Sequence, residues 1–412
     1  MTPEIKQRIV QIQRGEVPEG YKIEQHAIIP SEWRRCKLGD IGEVLMCKRI
    51  YANQTSQEGE IPFYKIGTFG KNADAYITRS LYEKYKESYP YPQKGDVLIS
   101  AAGTLGRIVV YDGNEAYFQD SNIVWLEVDK NIISNEYLSL CYQIIEWPIP
   151  EGGTIQRLYN GMIRKTQISI PLLSEQKNIV TIIAAQDKII ELKEKLLAEK
   201  QQQKKYLMQQ LLTGKRRLPG FSGEWGSERL GKLFYERKET NCETLEMLAI
   251  TGTQGIIPRK ELDLKDNSSE DKSKYLKICV GDIGYNTMRM WQGVSAYSNY
   301  EGIVSPAYTI LKPNHNINAK YFAYLFKMPE MVFLFYRFSQ GLVDDTRNLK
   351  YENFKKIKVL YPKDEKEQTA IVEVLSTADH EIDLLQKNIE QEKQKKKALM
   401  QLLLTGIVRV RV

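Results

Sequence analysis

Residues 175–214, opening EQKNIV and closing LMQQLLTG, recur without a gap as residues 367–406, opening EQTAIV and closing LMQLLLTG. The same register of 192 positions carries Glu32 and Trp33 onto Glu224 and Trp225, and Leu38 and Gly39 onto Leu230 and Gly231. A chain that uses one unit twice must build two similar domains, each followed by a long helix. The segments are then an N-terminal helix and connector (1–32), a first domain (33–171), a central long helix (172–214), a linker (215–224), a second domain (225–362), a C-terminal long helix (363–406) and a tail (407–412).

With 412 residues, 42% of them hydrophobic, the chain can fill two cores. No apolar run approaches the roughly 20 residues that span a bilayer, and the N-terminus MTPEIKQRIVQIQRGEVPEG is polar where a signal peptide is apolar, so a cytoplasmic protein is expected. Five cysteines, none in a CxxC pair, and only three histidines argue against a disulfide framework, and no metal site is expected. The net charge of +7 is dispersed: residues 33–171 hold 16 basic and 16 acidic side chains, and residues 225–362 hold 20 and 16. Charge alone does not mark a nucleic-acid binder.

Ile5, Ile9 and Ile12 predict a short amphipathic helix, followed by a turn-rich connector with Gly15, Pro18 and Gly20. In the first domain the β-rich runs 97–100, 107–111, 123–128 and 168–172 predict strands, Asp112 and Gly113 a turn, and residues 135–147 a helix ended by Pro148. The second domain repeats the order with a drifting offset. Gly281 and Asp282 follow Gly95 and Asp96 by 186 residues, Tyr321 follows Tyr137 by 184, and Pro362 follows Pro171 by 191. Ends in register with altered middles imply one scaffold carrying different surface loops.

Each long helix has its own start and stop. Ser174 is a candidate cap for the first, Asp364 with Glu367 a candidate capping box for the second, and Gly214 and Gly406 suit the left-handed position after a helix. Heptad positions Ile371, Leu375, Ala378, Ile382, Leu385, Ile389, Leu399 and Leu403 make a seam broken by Glu392 and Lys396. The first helix offers Ile179, Ile183, Ile190, Leu197, Leu207 and Leu211, with polar Gln186, Lys193, Lys200 and Lys204 between them. Roughly 38 residues at 1.5 Å each give a rod of about 57 Å, longer than one such domain is wide, which favours pairing over two separate surface helices. Connectivity then requires an antiparallel pair. The expected fold class is α+β: two similar globular domains of mixed β-sheet and helices, separated by a long antiparallel two-helix coiled coil, with a pseudo-two-fold repeat and a nearly circular chain.

The paired LLTG helices, the re-entry GKRRLPGFSGEW, and KGDVLISAAGTLGR with FQDSNIVWL resemble the specificity subunit of type I restriction-modification enzymes over essentially the whole chain. The resemblance implies that the two domains are target recognition domains, each reading one half of a bipartite asymmetric sequence in double-stranded DNA. It implies that the helices set the spacer and dock two modification (methyltransferase) subunits, and that restriction subunits with translocase and nuclease activity join them. S-adenosylmethionine, ATP and Mg are expected on those partners, with no cofactor bound by this chain.

Base readout needs Arg or Lys for guanine, Asn or Gln for adenine, and short polar side chains where the groove comes close. The first domain offers Thr104 and Arg107 in AAGTLGR, Gln119 and Asn122 in FQDSN, and Thr154, Gln156 and Arg157 in GGTIQR. The second offers Thr253, Gln254, Arg259 and Lys260 in TGTQGIIPRK, Asn286, Arg289 and Trp291 in YNTMRMWQ, and Arg347 and Asn348 in DDTRN. Lys215, Arg216 and Arg217 are candidates for phosphate contacts. Trp33 and Trp225 read as core anchors.

No catalytic pattern is present. The (N/D)PP(Y/F) tetrapeptide and GxxxxGK are missing, His26, His315 and His380 have no triad around them, and Asp364, Glu365 and Lys366 lie at a helix start. A non-catalytic subunit is expected; the other reading is a coiled-coil scaffold or adaptor that never reads DNA.

Overall fold

The computed structural model describes residues 2–148, 156–252, 254–262, 271–343 and 346–410. Two compact units divide the chain, residues 1–193 with 388–412, and residues 194–387.

Unit 1 begins with α1 (Pro3–Gln13) and a hairpin of β1 (Tyr21–Glu24) and β2 (Ala27–Pro30), which occupies the region expected to be connector. Next come β3 (Arg34–Lys37), β4 (Gly42–Leu45), β5 (Ile61–Tyr64), β6 (Tyr76–Ile77), α2 (Arg79–Ser88), β7 (Val97–Ser100), β8 (Ile108–Val110), β9 (Tyr117–Phe118) and β10 (Ile123–Val128). The chain then forms α3 (Asn135–Ile144), α4 (Asn160–Lys165), β11 (Gln167–Ile170) and the 39-residue α5 (Leu173–Leu211). The main sheet is antiparallel in the order β4-β10-β7-β8, flanked by a β6-β5-β9 sheet and a β3-β11 pair.

Alternation in the two central strands explains the two cores of this unit. Val97, Ile99, Val124 and Leu126 join Trp33, Tyr137, Ile179 and Ile183 in one cluster. Leu98, Ile123 and Trp125 point the other way, onto Ile61, Phe63, Tyr82 and Tyr117. Helix α3 stops three residues before the expected end, because Ile145 is extended and Trp147 turns back over Gly106 and Tyr142.

Unit 2 contains β12 (Trp225–Arg229), α6 (Leu230–Leu233), β13 (Phe234–Arg237), β14 (Leu248–Ile250), β15 (Ile256–Pro258), β16 (Leu276–Ile278), β17 (Ile283–Asn286), β18 (Ser295–Tyr297), β19 (Gly302–Val304) and β20 (Tyr308–Pro313). Then follow α7 (Ala319–Leu325), α8 (Pro329–Phe338), α9 (Tyr351–Phe354), β21 (Lys358–Pro362) and the 40-residue α10 (Glu365–Leu404). The sheet β13-β20-β17-β18 matches β4-β10-β7-β8 strand for strand, and β12-β21 matches β3-β11. The periphery differs: two small antiparallel pairs, β14-β15 and β16-β19, back the second core of unit 2 where unit 1 has the β6-β5-β9 sheet and α2, and the aromatic helix α8 adds Met331 and Phe335 to the main core beside Ile283 and Leu311.

Within each unit a stretch of α5 lies against a stretch of α10, antiparallel. In unit 1, Gln186 donates to Glu392 (2.8 Å), Lys193 to Glu392 (2.8 Å) and Asn388 (2.6 Å), and Lys396 pairs with Asp187 (2.6 Å). In unit 2, Lys200 pairs with Glu381 at 2.7 Å and Lys204 with Asp379. The polar positions that interrupt the apolar seam thus answer one another across it. Of the apolar positions, Ile179, Ile183, Ile190, Leu211, Ile371, Leu375, Ile389 and Leu403 are buried, while Leu197, Leu207, Ile382, Leu385 and Leu399 are half-buried.

The helix starts differ from expectation. Helix α5 begins at Leu173, so Ser174 lies inside its first turn and does not cap it. Asp364 does cap α10, its Oδ1 accepting from Lys366 N at 2.9 Å, but Glu367 completes no capping box because Arg217 claims its carboxylate (2.5 and 2.6 Å). Gly214 and Gly406 follow the two helices with φ of +69° and +75°.

The doublets Glu175-Gln176 and Glu367-Gln368 explain why the repeat is strict at its start. Gln176, fully buried, donates to Ile132 O (2.8 Å) and Pro171 O (3.0 Å) and accepts from Ser134 N (2.9 Å), the residue that caps α3. Gln368 does the same with Pro362 O (2.8 Å) and Asn318 N (2.8 Å), the cap of α7. Each glutamine therefore bolts the root of a long helix to the first helix of its domain.

Candidate nucleic-acid interface

In unit 1 the loops singled out by sequence come together. Ala102 bridges to Arg157, Arg157 Nη2 donates to Ser121 O (2.9 Å), and Leu158 N donates to Ala101 O (2.9 Å). Gln119 Oε1 accepts from Ile66 N (2.9 Å), and Arg107 Nη1 donates to Phe69 O (3.0 Å). Gly103 and Gly106 adopt φ of +66° and +72°, and a Cβ at Gly106 would sit 2.4 Å from Trp147 Nε1. Loops 101–107, 119–122 and 156–158 and a fourth loop, 65–71, therefore form one contiguous surface. Thr104 and Gln156 are exposed on it; Arg107, Gln119, Asn122 and Arg157 are half-buried. Thr154 lies outside the described residues.

Sequence reasoning missed the 65–71 loop and Arg49. Lys65 pairs with Asp74 (2.8 Å), Lys71 is exposed, and the exposed Arg49 pairs with Asp120 (2.8 Å) beside Gln119. The glycines of KIGTFGK were the available signal, since Gly70 adopts φ +73°.

Unit 2 gathers loop 286–294 and residues 340–343 and 346–349 on the corresponding end of its sheet. Leu349 N donates to Thr287 O (2.8 Å), Trp291 packs edge-on against Tyr336 at 6.3 Å, and Arg347 lies 4.1 Å over the Tyr336 ring. The tip of the β14-β15 hairpin approaches the same surface, with Gly252 facing Val294. Gln254 and Arg289 are exposed; Asn286, Trp291, Arg347 and Asn348 are half-buried. Thr253 lies outside the described residues.

Arg259 and Lys260 do not join this cluster. They share the motif TGTQGIIPRK with Gln254, but β14 and β15 are three residues each and antiparallel, so the tip and the base are about 10 Å apart. At the base Lys260 pairs with Glu246 (2.7 Å), whose carboxylate raises the lysine pKa. Arg217, proposed from sequence as a phosphate ligand, is engaged by Glu367 and by Gly223 O (2.9 Å), while Lys215 and Arg216 are exposed. The linker arginine folds the chain instead of projecting from it.

The five cysteines are free, and burial pushes the Cys47 and Cys141 thiols up to about 12, far from reactivity at neutral pH. Among the described residues there is no cluster of three His, Cys, Asp or Glu side chains suited to a metal ion, and no helix is long and apolar enough to cross a membrane.

A twofold-used antiparallel scaffold with a variable loop surface on each copy and two 39–40-residue helices defines a class of modular recognition proteins. The family model described as type I restriction modification DNA specificity domain matches twice, over residues 30–202 and 231–394. The chain belongs to that family and carries two copies of its domain. It is 59% identical over 147 residues to a Haemophilus influenzae protein named as a type I restriction enzyme specificity subunit, a match spanning 36% of this chain and 38% of that relative. A Methanocaldococcus jannaschii protein of the same description is 23% identical over 95% of this chain and 97% of its own length. The solved type I restriction-modification S subunit of M. genitalium shares the fold, with a TM-score of 0.53, 15% identity and coverage of 93% of this chain and 98% of that one.

Proposed function

We propose that this chain is the DNA sequence-recognition subunit of a type I restriction-modification complex, and that each unit reads one half of a bipartite asymmetric target. The observation that carries this is the pair of loop surfaces raised by one shared sheet order, polar in unit 1 and mixed apolar and cationic in unit 2. Identical scaffolds with unlike loops read unlike sequences. The two long helices set the spacer between half-sites; 39 residues of α5 extend about 58 Å, which is ample for sites one or more turns of duplex apart.

The same helices are the docking surface for two modification subunits. Ile189 and Leu192 in unit 1, and Leu196 and Leu384 in unit 2, leave apolar side chains exposed on helices whose inner seams are already filled. Restriction subunits join that core. The chain itself is non-catalytic, the partners carry S-adenosylmethionine, ATP and Mg, and the complex works in the cytoplasm. Salt-dependent, sequence-preferring binding of duplex DNA by this chain assembled with its modification subunits tests the reading; binding indifferent to sequence would leave only a scaffold.

A further inference from the structure

We propose that the exposed apolar pair Leu342 and Val343 is a specificity determinant that reads thymine through its 5-methyl group. The proposal rests on unit 2 being a DNA recognition domain. Leu342 is 99% exposed and Val343 58% exposed, and the neighbouring 286–291 loop adds Met288 at 47%. One exposed leucine on a surface means nothing by itself, but Leu342 and Val343 are consecutive, and the loop that carries Met288 adjoins theirs through the Leu349 N to Thr287 O hydrogen bond.

The described residues around Leu342 are hydrogen-bonded to one another. Gln340 and Asn348 exchange backbone hydrogen bonds (2.8 and 2.7 Å), and Thr346 donates to Val343 O through its N (3.0 Å) and its Oγ1 (2.9 Å). Gly341 stands at φ +142°, where a Cβ would lie 2.7 Å from the backbone of Thr346 and Arg347, so only glycine passes. At the root Leu349 is fully buried. Order is thus invested in holding two apolar side chains out in water, where they add nothing to the core.

The surroundings point to duplex DNA as the occupant. Arg289 is exposed on the adjoining loop, a cation suited to a flanking phosphate. In the major groove the thymine 5-methyl is the apolar group that base edges offer. A leucine–valine pair gains contact there and nowhere else on the edges. Unit 1 presents Thr104, Gln119 and Asn122 at its corresponding surface, so the two half-sites are read with different chemistry.

The test uses the chain assembled with its modification subunits, and duplexes carrying the mapped target with thymine replaced by deoxyuridine in one half-site at a time. Removing one contacted methyl weakens binding about three- to fivefold, in one half-site only. The Leu342→Ser variant binds thymine and uracil duplexes alike, keeps its melting temperature, and leaves the other half-site unaffected. Equal binding of thymine and uracil duplexes by the unaltered complex, or a variant that still distinguishes them, overturns the proposal. So does a rise in 2-aminopurine fluorescence that depends on Leu342, which would mean insertion into the base stack. Failure of the underlying reading looks different: no preference for any DNA sequence.

Discussion

Arg409 grips Glu175 through two hydrogen bonds, Nε to Oε1 at 2.7 Å and Nη2 to Oε2 at 2.8 Å. One repeat earlier in the chain, Arg217 grips Glu367 in the same way. The tryptophans match too: Arg409 lies 6.0 Å over Trp33 and Arg217 5.8 Å over Trp225. In each unit an arginine three residues past an LTG stop returns to the first turn of the other long helix, so the end of one helix is latched to the beginning of its partner. The copies differ at the tryptophan. Trp33 Nε1 donates to Glu175 (2.9 Å), whereas the buried Trp225 Nε1 has no partner.

Glu175 is 3% exposed and Arg409 26%, so Arg409→Ala strands a buried carboxylate. A loss of about 3 kcal/mol in the stability of unit 1 is expected, read by urea unfolding. The paired replacement of Arg409 and Glu175 by methionine is expected to cost less than the single change; equal or greater cost would mean that the latch is not a coupled pair.

The helix stops are unequal in their surroundings. A Cβ at Gly406 would lie 2.5 Å from Pro30 Cδ, while one at Gly214 would touch the Trp225 ring at 3.3 Å. Both have positive φ, so both alanine variants are strained by about 1 kcal/mol, and Gly406→Ala carries a steric cost besides. Thermal melting is expected to rank Gly406→Ala well below Gly214→Ala.

Glu392 sits in the seam, where the Lys193 ammonium and then the Gln186 amide hold its carboxyl down at about 2. A carboxylate with a depressed pKa stabilises the fold above its unfolded value of about 4.3, and that contribution fades as pH falls toward 2. The melting-temperature gap between the unaltered protein and Glu392→Gln is therefore expected to be full at pH 7 and to narrow steadily below pH 5. A gap that does not change with pH would remove Glu392 from the pairing account.

Arg289 and Arg157 separate reading from building. Arg289 is exposed, and Arg289→Ala is expected to relax one half-site by about 1–3 kcal/mol without lowering the melting temperature. Arg157 holds the Ser121 carbonyl, and Arg157→Ala is expected to lower stability as well as recognition. Competition binding with single-base variants of the target, alongside melting curves, distinguishes the two.

The repeat made the duplicated scaffold legible, because strands such as Ile123–Val128 and the LTG stops carry strong local signals. What stayed hidden was decided by distant partners. Glu367 has the spacing of a capping box, yet the arginine that takes it is 150 positions away. Arg259 and Lys260 look continuous with Gln254 until a three-residue hairpin turns them to the opposite end. The loop surfaces were half legible: glycines and polar side chains marked 101–107 and 286–291, and the glycines of KIGTFGK mark 65–71 as a loop, but its joining the first surface, like that of Tyr336 to the second, is decided by distant partners.

The central claim is that two unlike reading surfaces act through one pair of helices, and mapping of methylated bases tests it most directly. DNA from cells carrying this chain with its modification subunits is compared with DNA from cells in which α5 and α10 are each lengthened by seven residues. One bipartite, asymmetric methylated motif is expected, and the lengthened chain keeps both half-sites with a longer spacer between them. A palindromic motif, or half-sites that change when only the helices are lengthened, would contradict the account.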